Sequence, residues 1–361
     1  MASVSMDRAL ITTPASLMGG CSIILCCHNS ASRLPETLKA LSTLRLPAAQ
    51  PVEVLLIDNA STDHTSSVAQ DLWQDLSPVI ALRVIQEPNP GLMHARRAGI
   101  REAQYALLIF CDDDNLLSED YLLIAYQHFS TRPSLGALGG FGIPVFDGEP
   151  PGWFRIFYSA YATGSQAITA ESGRSLNLYG AGLVVRKIAL EGLYSQGYRP
   201  LLTGRIGGQL LGSEDTEMTY ALVIAGYTLD YDDNMQFRHI LPPARLTEAY
   251  REKLLLSSAI DGPVRNLYHA YVTERKIPSL TKHWPFHLAI ALFRIPKYFC
   301  RPPKPGFREF YVRWNLQYIR SLIALRSQYQ AAKENIARIP RHIPDPIGNE
   351  HIIPVQANEI A

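Results

Sequence analysis

With 361 residues, 47% of them hydrophobic and 19% charged, the chain is long enough to bury a substantial core and too apolar for wholesale disorder. A formal net charge of +1 argues against a global nucleic-acid binder, and no nucleic-acid partner is expected. Five dispersed cysteines form no CxxC pair and no metal-ligand spacing, which points to a reducing compartment. The first 20 residues contain Asp7 and Arg8 but no sustained apolar core, so no signal peptide is expected. No stretch approaches the roughly 20 apolar residues needed to cross a bilayer, so the expected location is cytoplasmic, with peripheral attachment to the inner face of the cell membrane left open.

From Ser22 onward strands and helices alternate. Residues 22–27 form an uncharged strand, and a helix follows over 34–44 with Pro35 near its start. Val52 to Ile57 is a second strand, and Ser61-Thr62-Asp63 opens the next helix, with Asp63 expected as a cap. Leu82 to Ile85 is a third strand, and a turn over 87–91 leads into a helix from Met93 to Glu102. Ala106 to Cys111 is a fourth. Such alternation with short loops predicts a mostly parallel, doubly wound sheet flanked by helices. Beyond Pro133 the pattern loosens around one or two further strands between Gly139 and Trp153. Leu178 to Val185 resembles another strand, 215–225 a helix and 227–231 a strand that His239 follows. The chain then turns helical from Leu246 to about Ala337, and the last residues, with Pro340, Pro344, Pro346 and Pro354, lack periodicity. The expected organisation is an N-terminal extension (1–20), an α/β catalytic domain (21–245), a helical C-terminal region (246–337) and an extended tail (338–361).

Asp112-Asp113-Asp114-Asn115 lies directly behind the fourth strand, at the strand end where open α/β sheets bind ligands. Adjacent carboxylates repel, and a hard divalent cation offsets that cost. If the segment is extended, Asp112 and Asp114 point the same way and share one Mn2+ or Mg2+ ion, whose open positions suit phosphate oxygens. The alternative is an acidic turn capping a helix that starts near Ser118-Glu119-Asp120.

Asp58, at the end of the second strand, suits hydrogen bonds to a base or ribose. Arg96 or Arg97 could pair with a diphosphate at the same sheet edge, or be a solvated helix charge. Glu214-Asp215 follows a glycine-rich loop over 204–212; a carboxylate there caps a helix or serves as a general base toward a substrate hydroxyl. His239 could complete a metal site as a neutral imidazole or be structural. His283 and His287 share helical spacing, but Pro285 between them and no glutamate after the first argue against zinc-protease chemistry.

Taken in order, residues 21–29, 54–65, 89–100, Asp112 to Asp114, Glu214-Asp215 and His239 resemble a family 2 glycosyltransferase of the GT-A fold, over roughly Ser22 to Arg245. The resemblance implies a Rossmann-like catalytic domain and inverting transfer from a nucleotide sugar, by family default a UDP-sugar. The acceptor would be a hydroxyl of a glycan or lipid-linked molecule in polysaccharide biosynthesis of the cell envelope. By position it implies Cys26 and Asn29 near the base, Asp58 on the uracil or ribose and Arg96 beside the nucleotide. Asp112 and Asp114 match the DxD motif that holds Mn2+ or Mg2+ against the diphosphate, and Asp113 would touch the sugar or ribose. Glu214 belongs to the nucleotide-sugar site, Asp215 matches the catalytic base, and His239 matches a metal ligand of some relatives. Where the family carries asparagine after the arginine, this chain has Arg97.

Two other readings compete. A metal-dependent nucleotidyltransferase also pairs aspartates on an α/β sheet but has no need of Glu214-Asp215. A non-catalytic sugar-nucleotide or glycan-binding relative would not need Asp58, Asp112, Asp114 and Asp215 together. In the C-terminal region, nine basic residues between Thr281 and Arg326 stand against one acid, Glu309, and aromatics from Trp284 to Trp314 are interleaved with them. That composition suits an anionic membrane surface over 281–326, or else a helical appendage with solvated charges.

Overall fold

The computed structural model describes residues 19–166, 178–207, 210–273, 283–302 and 306–340. The N-terminal extension up to residue 18 and the tail from residue 341 therefore lie outside the described residues, as do Gly208 and Gln209 of the glycine-rich loop.

The first half is a repeated strand–helix unit: β1 (Cys21–Cys27), α1 (Leu34–Ser42), β2 (Val52–Asn59), α2 (Thr65–Leu76), β3 (Ala81–Glu87), α3 (Leu92–Glu102) and β4 (Leu107–Asp112). Each of these strands pairs in parallel with its neighbour in the order β3-β2-β1-β4. β2 is buried along its whole length because helices cover both faces, the pattern of parallel sheets. Chain order reverses between β1 and β4, and at that switch point the pairings Cys27↔Asp58 and Cys26↔Asp112 gather the polar strand ends in one row. Helix α3 lies close on β1 because Gly99 faces it: a Cβ there would come within 2.3 Å of Ile24. That approach brings Arg96, one turn earlier, to the same edge.

The second half comprises β5 (Asn115–Leu117), α4 (Tyr121–Thr131), β6 (Leu135–Phe146), α5 (Phe154–Phe157), β7 (Val184–Arg186), α6 (Lys187–Ser195), α7 (Glu214–Ile224) and β8 (Thr228–Leu241). These strands complete an eight-stranded sheet in the order β3-β2-β1-β4-β7-β6-β8-β5, in which β7 and β5 run antiparallel to their neighbours. Three expectations are corrected here. The strand read over 178–185 is only β7, and it begins at Val184. The strand read over 227–231 runs on to Leu241, so His239 lies within it rather than after it. The carboxylates of 112–114 do not cap a helix, because β5 separates them from α4.

Four helices follow: α8 (Glu248–Thr273), α9 (Trp284–Cys300), α10 (Arg308–Ala324) and α11 (Arg326–Ala337). Val264, Leu267 and Tyr268 of α8 and Tyr329, Ala332 and Ile336 of α11 belong to the core that also contains Ile24, Leu55 and Phe110 of the sheet. The opposite face of the sheet is closed by α1, α2 and α4 through Leu34, Leu38, Trp73, Leu122 and Phe129. Helix α10 packs on α8 and α9 around Ala259, Ala291, Tyr318 and Leu322. Among the described residues no helix is long and apolar enough to cross a membrane.

Candidate active site

A cleft of about 810 Å³ opens at the carboxyl ends of β1, β2 and β4. Its base is Cys26, Cys27, Asp112 and Asp113; one wall carries Asn59, Gly91 and Arg96, and the other carries Tyr161, Tyr179 and Gly180. Over it lie Arg205 and the segment from Leu210 to Asp215, and its far end is closed by His239, Arg245 and the α8 residues Tyr250, Leu254, Ser258 and Arg265. The C-terminal helices therefore build part of the site.

The three aspartates diverge. The chain turns at Asp113 and Asp114, so the expectation that Asp112 and Asp114 point the same way on an extended segment does not hold. Asp112 faces the cleft, and among the described residues its carboxylate makes no hydrogen bond or ion pair; its backbone is held in the β1 ladder and by Asn115. Burial pushes its carboxyl pKa up, with Arg96 pulling it back. Asp113 is held by Ser30 Oγ and by the Arg33 guanidinium at 2.5 Å. Asp114 accepts from Arg245 at 2.8 Å and faces His239 Nε2 at 3.5 Å. Burial opposes its charge, yet His239 and Arg245 outweigh burial and hold it well below the usual carboxylate range.

The antiparallel register Asn115↔His239 is what brings His239 to Asp114. Its Nδ1 donates to the Tyr161 carbonyl at 2.8 Å, which turns Nε2 toward Asp114, the orientation that second-sphere partners give metal-binding histidines. Among the described residues no group of three or more His, Cys, Asp or Glu side chains is arranged to hold a metal ion by itself. The uncommitted Asp112, with the Asp114–His239 pair behind it, fits a Mg2+- or Mn2+-type site in which few carboxylates act and diphosphate oxygens fill the rest.

Arg96 is buried, lies over the Phe110 ring at 5.2 Å and pairs with Glu214 Oε1 at 3.0 Å, while its Nε has no hydrogen-bond partner among the described residues. Its room comes from Gly180, where a Cβ would stand 2.4 Å from the guanidinium. Arg97 is exposed, so of the two arginines only Arg96 belongs to the cleft. Burial first, then repulsion from Asp215, push the Glu214 carboxyl up to about 7 against the pull of Arg96.

Asp215 sits in the first turn of α7. Its Oδ2 accepts from the Gly180 N–H at 2.8 Å and its Oδ1 from the Thr216 N–H at 2.6 Å, which fixes the carboxylate toward the cleft. Asp261 of α8 ties down the preceding loop by accepting from the Gly212 N–H at 3.0 Å.

Asp58 and Asn29 stand behind this row. Asp58 accepts from Ser66 Oγ, from the Ser61 N–H at 3.3 Å and from Gln86 at 3.4 Å; Asn29, at φ +50°, accepts from the Thr62 N–H at 2.8 Å. They brace the loops whose neighbours Cys26, His28 and Asn59 line the cleft. Asp63 is not the cap expected of it: the N-cap of α2 is His64, without a side-chain cap bond, and Asp63, one residue earlier, accepts from the Thr65 N–H at 3.0 Å and the Ala31 N–H at 3.1 Å. Arg33, Arg205, Arg245, Tyr250 and Arg265 were not picked out in the sequence. No local pattern marks them, since they come from loops and helices spread from Arg33 to Arg265.

Residues 22–174 match the model of glycosyl transferase family 2. This segment is a family 2 glycosyltransferase domain. The match ends before Asp215 and the C-terminal helices, so those parts of the cleft stand on their geometry. The chain is also 26% identical over 131 residues to the poly-beta-1,6-N-acetyl-D-glucosamine synthase of Staphylococcus epidermidis, a stretch covering 36% of this chain and 30% of that protein. It thus spans less than a third of the length of that curated relative. In fold it is similar to the mannosyltransferase PcManGT of Pyrobaculum calidifontis, solved with GDP-Man and Mn2+ (TM-score 0.54, 19% identity, 92% of this chain and 88% of that one). It is similar too to S. aureus TarS 1–349 solved with UDP-GlcNAc (TM-score 0.50, 16% identity, 89% of each chain). The architecture is the GT-A fold.

Proposed function

We propose that the protein is a metal-assisted, inverting glycosyltransferase that moves a sugar from a nucleoside-diphosphate donor, a UDP-sugar in the first instance, to a hydroxyl of a glycan or lipid-linked acceptor in polysaccharide synthesis. One observation carries the reading: the free carboxylate of Asp112 and the half-satisfied guanidinium of Arg96 face the same cleft as the fixed carboxylate of Asp215. The first two suit a diphosphate; the third suits a hydroxyl.

A divalent ion held by Asp112, with Asp114 and His239 in support, would supply Lewis-acid neutralisation of the departing diphosphate. Arg96 and Arg205 add fixed positive charge on the same side, where it costs no reorganisation during reaction. Asp215 takes the proton from the acceptor hydroxyl as that oxygen attacks the anomeric carbon. Its two backbone N–H donors keep the carboxylate aimed, and general-base assistance of this kind contributes about 10²–10⁴-fold. Tyr161 and the α8 residues Tyr250 and Leu254 line the cleft beside these groups.

The test is a panel of UDP-, GDP- and TDP-sugars with Mn2+, Mg2+ or chelator, read by thermal shift and by release of nucleoside diphosphate. Metal-dependent stabilisation and slow diphosphate release with one donor are expected. No response to any donor with either metal would overturn the proposal.

A further inference from the structure

Five of the nine large hydrophobic side chains exposed among the described residues belong to two adjacent helices: Leu292, Phe293 and Phe299 of α9, and Leu316 and Ile323 of α10. Phe293 is 76% exposed and Phe299 60%. They are not scattered. Exposed positions along α9 fall at Pro285, Ala289, Leu292, Phe293, Pro296, Lys297, Phe299 and Cys300, single positions and adjacent pairs recurring every three or four residues along one outward face, while its inner side meets α10 through Leu288 and Ala291. On α10 the outward stripe runs Glu309, Arg313, Leu316, Arg320, Ile323, with two apolar side chains among three charged ones.

The charges on this face are mostly positive: on the α10 stripe Arg313 is paired with Glu252 of α8, and Glu309 is the one acid of the stripe itself. Lys297, Arg301 and Arg320 are exposed and make no ion pair with an acidic side chain among the described residues, and Glu309 is the only acid between residues 283 and 326. A contact with another protein by apolar burial would not need this excess. An apolar helix face flanked by unpaired lysine and arginine is complementary to a bilayer carrying anionic lipid, in which the rings enter the headgroup region and the cations stay at its surface.

We propose that the outer face of α9 and α10 docks the protein on an anionic lipid bilayer. The face connects directly to the cleft. Phe307, just before α10, packs edge-on against Phe157 at 4.9 Å, and the Arg251 guanidinium lies over Trp153, Phe157 and Phe307 at 4.8–5.7 Å. Two residues beyond Phe157 the chain becomes the Ser159–Ala162 wall of the cleft. Docking here places the mouth of the site near the membrane, where a lipid-linked acceptor would present its hydroxyl; this last step rests on the proposed glycosyl transfer, whereas the docking itself does not.

The experiment is flotation of the full chain with phosphatidylglycerol-containing or pure phosphatidylcholine vesicles, at low and at 0.5 M salt. It compares the native chain with Phe293→Ser/Phe299→Ser and with Lys297→Glu/Arg301→Glu/Arg320→Glu. The native chain should float with anionic vesicles, at least tenfold less with neutral ones, and each variant should lose at least tenfold in binding with an unchanged melting temperature. Release by salt should parallel the charge variant. Absence of flotation, or flotation that neither variant reduces, overturns the proposal. A native dimer that Phe293→Ser/Phe299→Ser dissociates, without flotation, overturns it in favour of a second copy on this face. Diphosphate release from the donor panel, measured without vesicles, separates the two failures: it persists if only docking is wrong and is absent if the transferase reading is wrong.

Discussion

Arg96 of α3 and Glu214 of α7 form a buried ion pair, 3.0 Å apart and more than 100 residues distant in sequence. It locks the helix that carries Asp215 to α3, which stands beside the proposed diphosphate end of the cleft. Removing one partner leaves an uncompensated buried charge, so Arg96→Met should cost about 3 kcal/mol in denaturant unfolding and also weaken donor binding. The double variant Arg96→Met/Glu214→Leu should recover most of the stability but none of the donor affinity. If the double variant binds donor as well as the native chain, Arg96 serves the fold alone.

Asp112 and Asp114 are neighbours in a motif, but their surroundings assign them different work. Asp112→Asn removes a carboxylate without a partner, so it should leave unfolding within about 0.5 kcal/mol of native and weaken metal-dependent nucleotide binding at least tenfold by calorimetry. Asp114→Asn strips Arg245 of its counter-ion and should cost about 3 kcal/mol. Equal stability losses from the two substitutions would contradict the assignment.

Much of this was legible in the chain. The runs at 22–27, 52–57 and 106–111 are uncharged or nearly so because both faces of their strands are covered, and the position of Asp112 behind such a run locates the ligand edge. The length of β8 was hidden by Asp230, Asp232, Asp233 and Asn234, residues of low strand propensity. Asp232 to Asn234 fall in an irregularity where the β6 register skips from Tyr231 to Gln236, and pairing with β6 and β5 beyond it carries the strand on to His239. The arginine ring was hidden for another reason. Arg33, Arg205, Arg245 and Arg265 meet only through the tertiary fold, and nothing in their local spacing distinguishes them from solvated charges. The turn at Asp113 likewise depends on contacts with Ser30 and Arg33, which no reading of the aspartates alone supplies.

Glu217, one turn after Glu214, is fully buried and accepts from the Leu201 and Leu202 N–H groups at 2.7–3.1 Å. Burial pushes its carboxyl up to about 7 from 4.5, with those backbone donors pulling the other way. Between these two values the folded state binds more protons than the unfolded one. Its stabilising contribution is therefore fully present below about pH 4.5 and lost as pH rises through 7. Glu217→Gln keeps an acceptor for the loop and removes the titration. It should flatten the pH dependence of unfolding between pH 5 and 8, and at pH 8 should exceed the native stability by up to about 3 kcal/mol. Parallel native and variant profiles across that range would show that Glu217 is ionised in the fold at no cost.

Asp215→Asn keeps both the shape of the side chain and an oxygen for the Gly180 N–H, so the fold and the donor half of the cleft should be untouched. Nucleotide and metal affinity should then stay within twofold of native, while transfer falls about 10²–10⁴-fold, the range of a lost general base. If instead Asp215 only caps α7, the variant should retain near-native transfer and show its loss in thermal stability.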